Sequence, residues 1–120
     1  MAKILIVDDS RTSRKLLRNI LEEAGHEILG EAANGQDGVK QFQSLKPELV
    51  TMDITMPVLD GVEALNMIKA LDKNSKVIMV TAAGQKGKIM DCIKAGADEF
   101  ITKPFDNKEI LAAVEKVANT

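Results

Sequence analysis

Residues 3–9 read Lys3-Ile4-Leu5-Ile6-Val7-Asp8-Asp9, an apolar run that stops abruptly on two carboxylates. No polar residue alternates within Ile4–Val7, so a strand built from it must be covered on both faces, as in a parallel sheet packed between helices. The same pattern recurs at Glu27–Glu31 (EILGE, the weakest), Glu48–Met52 (ELVTM), Lys76–Val80 (KVIMV) and Glu99–Ile101 (EFI). Between these runs, apolar residues recur at helical spacing: Leu16, Leu17, Ile20, Leu21 and Ala24, then Val62, Leu65, Ile68 and Leu71, then Ile110, Leu111, Val114 and Val117. Asp60 followed by Glu63, and Asp106 followed by Glu109, resemble capping boxes with Asp as the cap. Gly25 and Gly96 stand where helices should stop. The pattern is β-α repeated five times, which predicts an α/β fold with right-handed crossovers and helices on both faces of a parallel sheet.

Composition narrows the class. The 120 residues suit one domain, 1–120, with no room for a second and no linker or repeat. Sixteen basic against 18 acidic residues leave a net charge of −2, which attracts neither nucleic acid nor a membrane surface. The only aromatics are three Phe, so base stacking has little to work with. The single Cys92 cannot form an intramolecular disulfide, which suits a reducing interior. The short apolar run near the N-terminus is no signal peptide, and no segment reaches membrane-span length. A cytoplasmic protein with no direct nucleic-acid or membrane partner is expected.

The informative polar residues fall just past the predicted strands: Asp8 and Asp9 after the first, Asp53 after the third, Thr81 after the fourth and Lys103 after the fifth. In open α/β sheets, ligands bind at this carboxyl edge, where strand order reverses. Three carboxylates gathered there repel one another, and without a cation at least one would be driven to protonate. A hard divalent ion resolves this. Mg²⁺ takes a few carboxylate oxygens and readily accepts a phosphate oxygen. Ca²⁺ wants a denser oxygen cage, and Zn²⁺ wants His or Cys, whereas His26 and Cys92 lie elsewhere. Lys103 is suited to a phosphoryl oxygen as a compact charge, and Thr81 to another as a hydroxyl donor. The adjacent Asp8 and Asp9 form a natural metal-holding pair. The solitary Asp53, from the central strand, is then the candidate nucleophile.

Each residue also has a plainer reading. Taken alone, Asp8–Asp9 is a solvated turn, Lys103 a surface lysine, Thr81 a helix cap and Phe100 core packing; for Phe100 the plain reading is a serious rival. Met52, Met56, Met67, Met79 and Met90 read as packing. Cys92 reads as a partly buried helix residue and His26 as a solvated turn residue. Lys86 and Lys88 read as a wet helix face.

Taken together, VDDS at 7–10, Asn34–Gly35, MDITMPVLDG at 52–61, VTAAG at 80–84 and AGADEFITKPF at 95–105 resemble the receiver domains of bacterial two-component response regulators, across essentially the whole chain. The resemblance implies a flavodoxin-like (βα)5 three-layer sandwich with a five-stranded parallel sheet of order 2-1-3-4-5. It implies phosphorylation of Asp53, a metal site of Asp8, Asp9, Asp53 and the Thr55 carbonyl, and phosphoryl-contact or switch roles for Thr81, Ala82, Phe100 and Lys103. It also implies a cis bond before Pro104. Mg²⁺ is the expected cofactor, with Mn²⁺ as an alternative. The implied partners are a histidine kinase as phosphodonor, a downstream protein reading the face of helix 4, strand 5 and helix 5, and a phosphatase. No enzymatic activity is expected beyond the chain's own phosphorylation and dephosphorylation.

The sequence departs from well-known members at Phe100, which lacks a hydroxyl, at Thr55 and Ala83, which flank the site, and at Ile54, where some members carry Trp. The AAGQ segment at 82–85 and DITMP at 53–57 look most like the chemotaxis subgroup. With only Asn119 and Thr120 after the last predicted helix, output by protein contact or onward relay is expected. A Mg²⁺-dependent phosphatase would want a D-x-D pattern after the first strand. A nucleotide binder would want a Gly-rich loop where VDDSR stands.

Overall fold

The computed structural model describes residues 1–82, 84 and 86–119, Lys86 by its backbone. The readings at Ala83, Gln85 and the Lys86 side chain therefore lie outside the described residues. Ten elements alternate: β1 (Lys3–Val7), α1 (Arg11–Glu23), β2 (Glu27–Ala32), α2 (Gly35–Leu45), β3 (Leu49–Asp53), α3 (Gly61–Leu71), β4 (Val77–Thr81), α4 (Lys86–Lys94), β5 (Glu99–Thr102) and α5 (Asn107–Ala118). The five strands form one parallel, flavodoxin-like sheet in the order β2-β1-β3-β4-β5.

The unbroken apolar strands are explained by two separate cores. Leu5, Val7, Val50, Met52, Val77 and Met79 face one side, where Phe42 of α2, Leu65 and Ile68 of α3 and Cys92 of α4 pack. Ile4, Ile6, Leu49, Ile78 and Ile101 face the other, against Leu17 and Leu21 of α1 and Ile110, Val114 and Val117 of α5. The weak β2 signal also has a cause. Ile4 pairs with Ile28 but Leu5 with Gly30, so the register slips at Leu29.

The helix starts follow local chemistry. Asp60 and Asp106 accept from the backbone N–H of Glu63 and Glu109, as the spacing predicts. Ser10 and Asn34 cap α1 and α2 in the same way. Gly25 and Gly96, at φ 94° and 93°, follow the ends of α1 and α4.

Several expectations need correction. β3 and β4 each run one residue further than predicted, because Asp53 still pairs with Val80 and Thr81 with Thr102. Asp53 and Thr81 are thus the last rungs of their strands. Met67 and Met90 are 46% and 57% exposed, on the outer faces of α3 and α4. Cys92 is fully buried rather than partly so. His26 is half-buried, and its Nδ1 accepts from the Ala2 N–H at 3.0 Å. Among the described residues, no helix is long and apolar enough to cross a membrane.

The loop after β3 is fastened tightly. Gly61 donates its N–H to the Ile54 carbonyl at 2.6 Å, and Gly35 donates to the Leu59 carbonyl at 3.0 Å. A Cβ on Gly61 would lie 2.0 Å from the Asp53 carbonyl oxygen, so only glycine lets α3 start this close to the acidic edge. Between these anchors Val58 takes φ 68° while 74% exposed, a left-handed backbone on a β-branched residue with little burial to offset it.

Two stability outcomes follow, both read from urea denaturation midpoints. Val58→Asn should stabilise the chain by about 1 kcal/mol, since Asn tolerates the left-handed region. Gly61→Ala should destabilise it by about 1–3 kcal/mol through overpacking against β3.

Candidate functional site: an acidic pocket at the carboxyl edge

β1 and β3 are neighbours, yet the chain leaves them in opposite directions, to α1 on one face and α3 on the other. The crevice opened between their carboxyl ends holds Asp8, Asp9 and Asp53. Each offers a carboxylate oxygen, and the three oxygens lie within 4.8 Å of one another. Asp8 and Asp53 are only 1% and 7% exposed, while Asp9 is exposed.

Asp8 is held firmly. Its Oδ1 accepts from the Ser10 N–H at 2.8 Å and its Oδ2 from Lys103 Nζ at 3.2 Å. Lys103 also lies 3.8 Å from Asp53 Oδ1, so one ammonium serves two buried carboxylates. Asp53 Oδ1 accepts from the Ile54 N–H at 3.1 Å. Burial, then the neighbouring Asp8 and Asp9 charges, push the Asp53 carboxyl up to about 6, against the opposing pull of Lys103 and the Ile54 N–H.

The other predicted site residues lie on β4, on β5 and in the loops that follow β3, β4 and β5. Thr81 is buried at the end of β4 and donates its hydroxyl to the Ile101 carbonyl at 3.4 Å, a long bond. Ala82 follows it, half-buried. Phe100 is half-buried on β5 against the core beneath α2–α4. Thr55 is exposed in the loop two residues past Asp53. The Lys103–Pro104 bond is cis.

Sequence reasoning missed Ser10, whose cap position inside VDDS was a usable signal, and Arg14, which had none. Arg14 Nη1 donates to the Asp8 carbonyl at 2.7 Å and its Nε to Glu31 Oε1 at 3.2 Å, a partner on another strand.

Among the described residues the donor set is all oxygen and strongly anionic, three carboxylates against one ammonium, with no imidazole or thiolate. Such a set fits a hard divalent ion of the Mg²⁺ kind and does not fit Zn²⁺.

The raised Asp53 carboxyl fixes a sign for pH. Between its ordinary value of 3.8 and about 6, the folded chain keeps a proton that the unfolded chain releases. Stability therefore falls as pH rises through that window, and the cost is fully expressed above it. In chelator at pH 7.5, Asp53→Asn should be more stable than the wild type by about 1–3 kcal/mol, and the gap should close toward pH 4. Urea melts at both pH values check this.

Comparison with known proteins places this geometry. The response regulator receiver domain model matches residues 4–115. Chemotaxis protein CheY of Listeria monocytogenes is 48% identical over 118 residues, covering 98% of this chain and 99% of that protein. CheY of Thermotoga maritima is 44% identical over 116 residues, 97% of each. Among solved structures, the CheX–CheY–BeF3–Mg complex from Borrelia burgdorferi superposes with a TM-score of 0.91 at 39% identity, covering 96% of this chain and 87% of that one. The chain belongs to the response regulator receiver domain family and is homologous to the CheY proteins of two-component chemotaxis signalling.

Proposed function

We propose that the chain is a phosphoacceptor switch of the chemotaxis type, in which Asp53 takes a phosphoryl group from a phosphohistidine on a partner kinase. The observation that carries this reading is Asp53 itself: a buried strand-end carboxylate, crowded by two others, with Lys103 within 3.8 Å. Its raised pKa marks the cost of burial and then of the neighbouring Asp8 and Asp9 charges, which a functional site has reason to keep.

In the transfer step an Asp53 carboxylate oxygen attacks phosphorus in line with the scissile P–N bond. The O–P bond forms, the P–N bond breaks, and the departing imidazole takes up a proton. Lys103 shifts part of its charge from Asp8 to a phosphoryl oxygen. Mg²⁺, or Mn²⁺ in its place, held by Asp8, Asp9, Asp53 and the Thr55 carbonyl, would neutralise the pocket and the phosphoryl oxygens. The same clamp serves the later attack of water that returns the chain to its resting form. No other substrate is turned over.

Phosphorylation exchanges one carboxylate for a group of roughly −1.5 to −2 charge with three acceptor oxygens. The Thr81 hydroxyl gives up only the long bond to Ile101 when it turns to such an oxygen. Phe100, half-buried beside β4, fills the space that Thr81 leaves. The resulting population shift alters the face of α4, β5 and α5, where α4 exposes Met90 and Ile93 to a protein partner. The Borrelia CheY, solved with CheX and Mg, supports both the ion and a protein partner for this chain.

Intact-mass measurement after incubation with acetyl phosphate and MgCl₂ tests the proposal. One phosphoryl adduct is expected on the wild type, and none on Asp53→Ala or in excess chelator. Rapid multiple turnover of varied phosphate esters would replace the switch reading with a phosphatase.

A further inference from the structure

Every polar group of Asp8 has a partner. Its N–H donates to the Ala32 carbonyl at 3.0 Å, its carboxylate takes Ser10 and Lys103, and its carbonyl takes Arg14 Nη1 at 2.7 Å. The last contact reaches well beyond the loop. The Arg14 side chain is only 17% exposed, and its Nε binds Glu31 on β2. Glu31 is in turn held by Arg18 Nη1, and its main-chain carbonyl accepts from Gln41 Nε2 of α2 at 2.8 Å. A planar guanidinium therefore ties the peptide between Asp8 and Asp9 to a network spanning α1, β2 and α2.

The plane of that peptide decides where Asp9 projects. Asp9 is exposed, and no hydrogen bond to its carboxylate is found among the described residues. Backbone orientation therefore sets the direction from which its side chain reaches the pocket.

We infer that Arg14 is a positioning residue for the acidic pocket: by holding the Asp8 carbonyl it locks the Asp8–Asp9 peptide plane and raises the affinity for a divalent cation. The inference rests on the pocket being a Mg²⁺ site, as proposed above. It also carries a sign that separates it from simple electrostatics. A guanidinium near a cation site repels the ion, so on charge alone its removal would tighten binding. Positioning requires the opposite. A lysine would keep the charge but offers a single nitrogen, which cannot serve Asp8 and Glu31 in the same geometry.

Titration of backbone amide resonances with MgCl₂ by NMR tests this and reports folding in the same spectra. Arg14→Met should weaken Mg²⁺ binding by about tenfold, the range found for residues that orient metal ligands. Arg14→Lys should also bind more weakly than the wild type, and it decides the matter if Arg14→Met does not fold. Arg18→Met removes the same charge from the same helix and the same Glu31 partner without touching Asp8. It should stay within about twofold of the wild type, as expected for a screened surface charge. Without metal, the Asp9 amide resonance should move in both Arg14 variants and hold still in Arg18→Met. If the Arg14 variants bind Mg²⁺ as tightly as the wild type or more so, the positioning role is overturned while the site stands. If the wild type itself shows no saturable shift near residues 8, 9 and 53, the metal-site reading falls and takes this inference with it.

Discussion

Repulsion among three carboxylates confined to one sheet edge is the constraint on which the rest of this molecule turns. Water cannot relieve it, because Asp8 and Asp53 are almost wholly buried. Among the described residues one ammonium, Lys103, serves both. Burial first, and then the neighbouring Asp8 and Asp9 charges, push the Asp53 carboxyl up to about 6. A cation, or the phosphoryl group proposed above, would therefore enter a pocket that is already electrostatically uncomfortable. Binding there releases repulsion that folding had to overcome.

Keeping such a pocket closed requires rigid surroundings, and the structure supplies them asymmetrically. Asp8 is fixed by main-chain and side-chain partners from its own loop, from β2, from α1 and from the loop after β5. The loop carrying Thr55 is drawn in by Gly61, whose missing Cβ allows the Asp53 carbonyl to sit against the start of α3. On the β4–β5 side the bonding is looser. The Thr81 side chain makes a long bond to Ile101, although its main-chain carbonyl takes the Lys103 N–H at 2.6 Å, and Phe100 is only partly buried. The switch proposed above would draw on this side, where rearrangement costs least.

Much of the architecture was legible before any coordinates. Ile4–Val7 and Val77–Val80 read as strands because each is covered on both faces, and the two cores confirm why no polar alternation interrupts them. Asp60 and Asp106 announced helix starts because capping is a contact between residues three apart. The strand ends were misplaced by one residue at Asp53 and Thr81, because the length of a ladder depends on the neighbouring strand and not on the residue itself. Met67 and Met90 were assigned to packing from their hydrophobicity, yet they fall on outer helix faces, since a short chain has more apolar residues than its core can cover.

The amino-acid order by itself determined which local elements form, and that acidic, hydroxyl and ammonium groups follow successive strands, because these are consequences of periodicity and of contacts between near neighbours. Tertiary structure alone decided that Asp8, Asp9 and Asp53 converge within 4.8 Å, that Lys103 divides itself between two of them, and that Arg14 reaches across to Glu31. Those distances depend on residues 17 to 95 positions apart, which are brought together only by the strand order and crossover hand of the closed sheet.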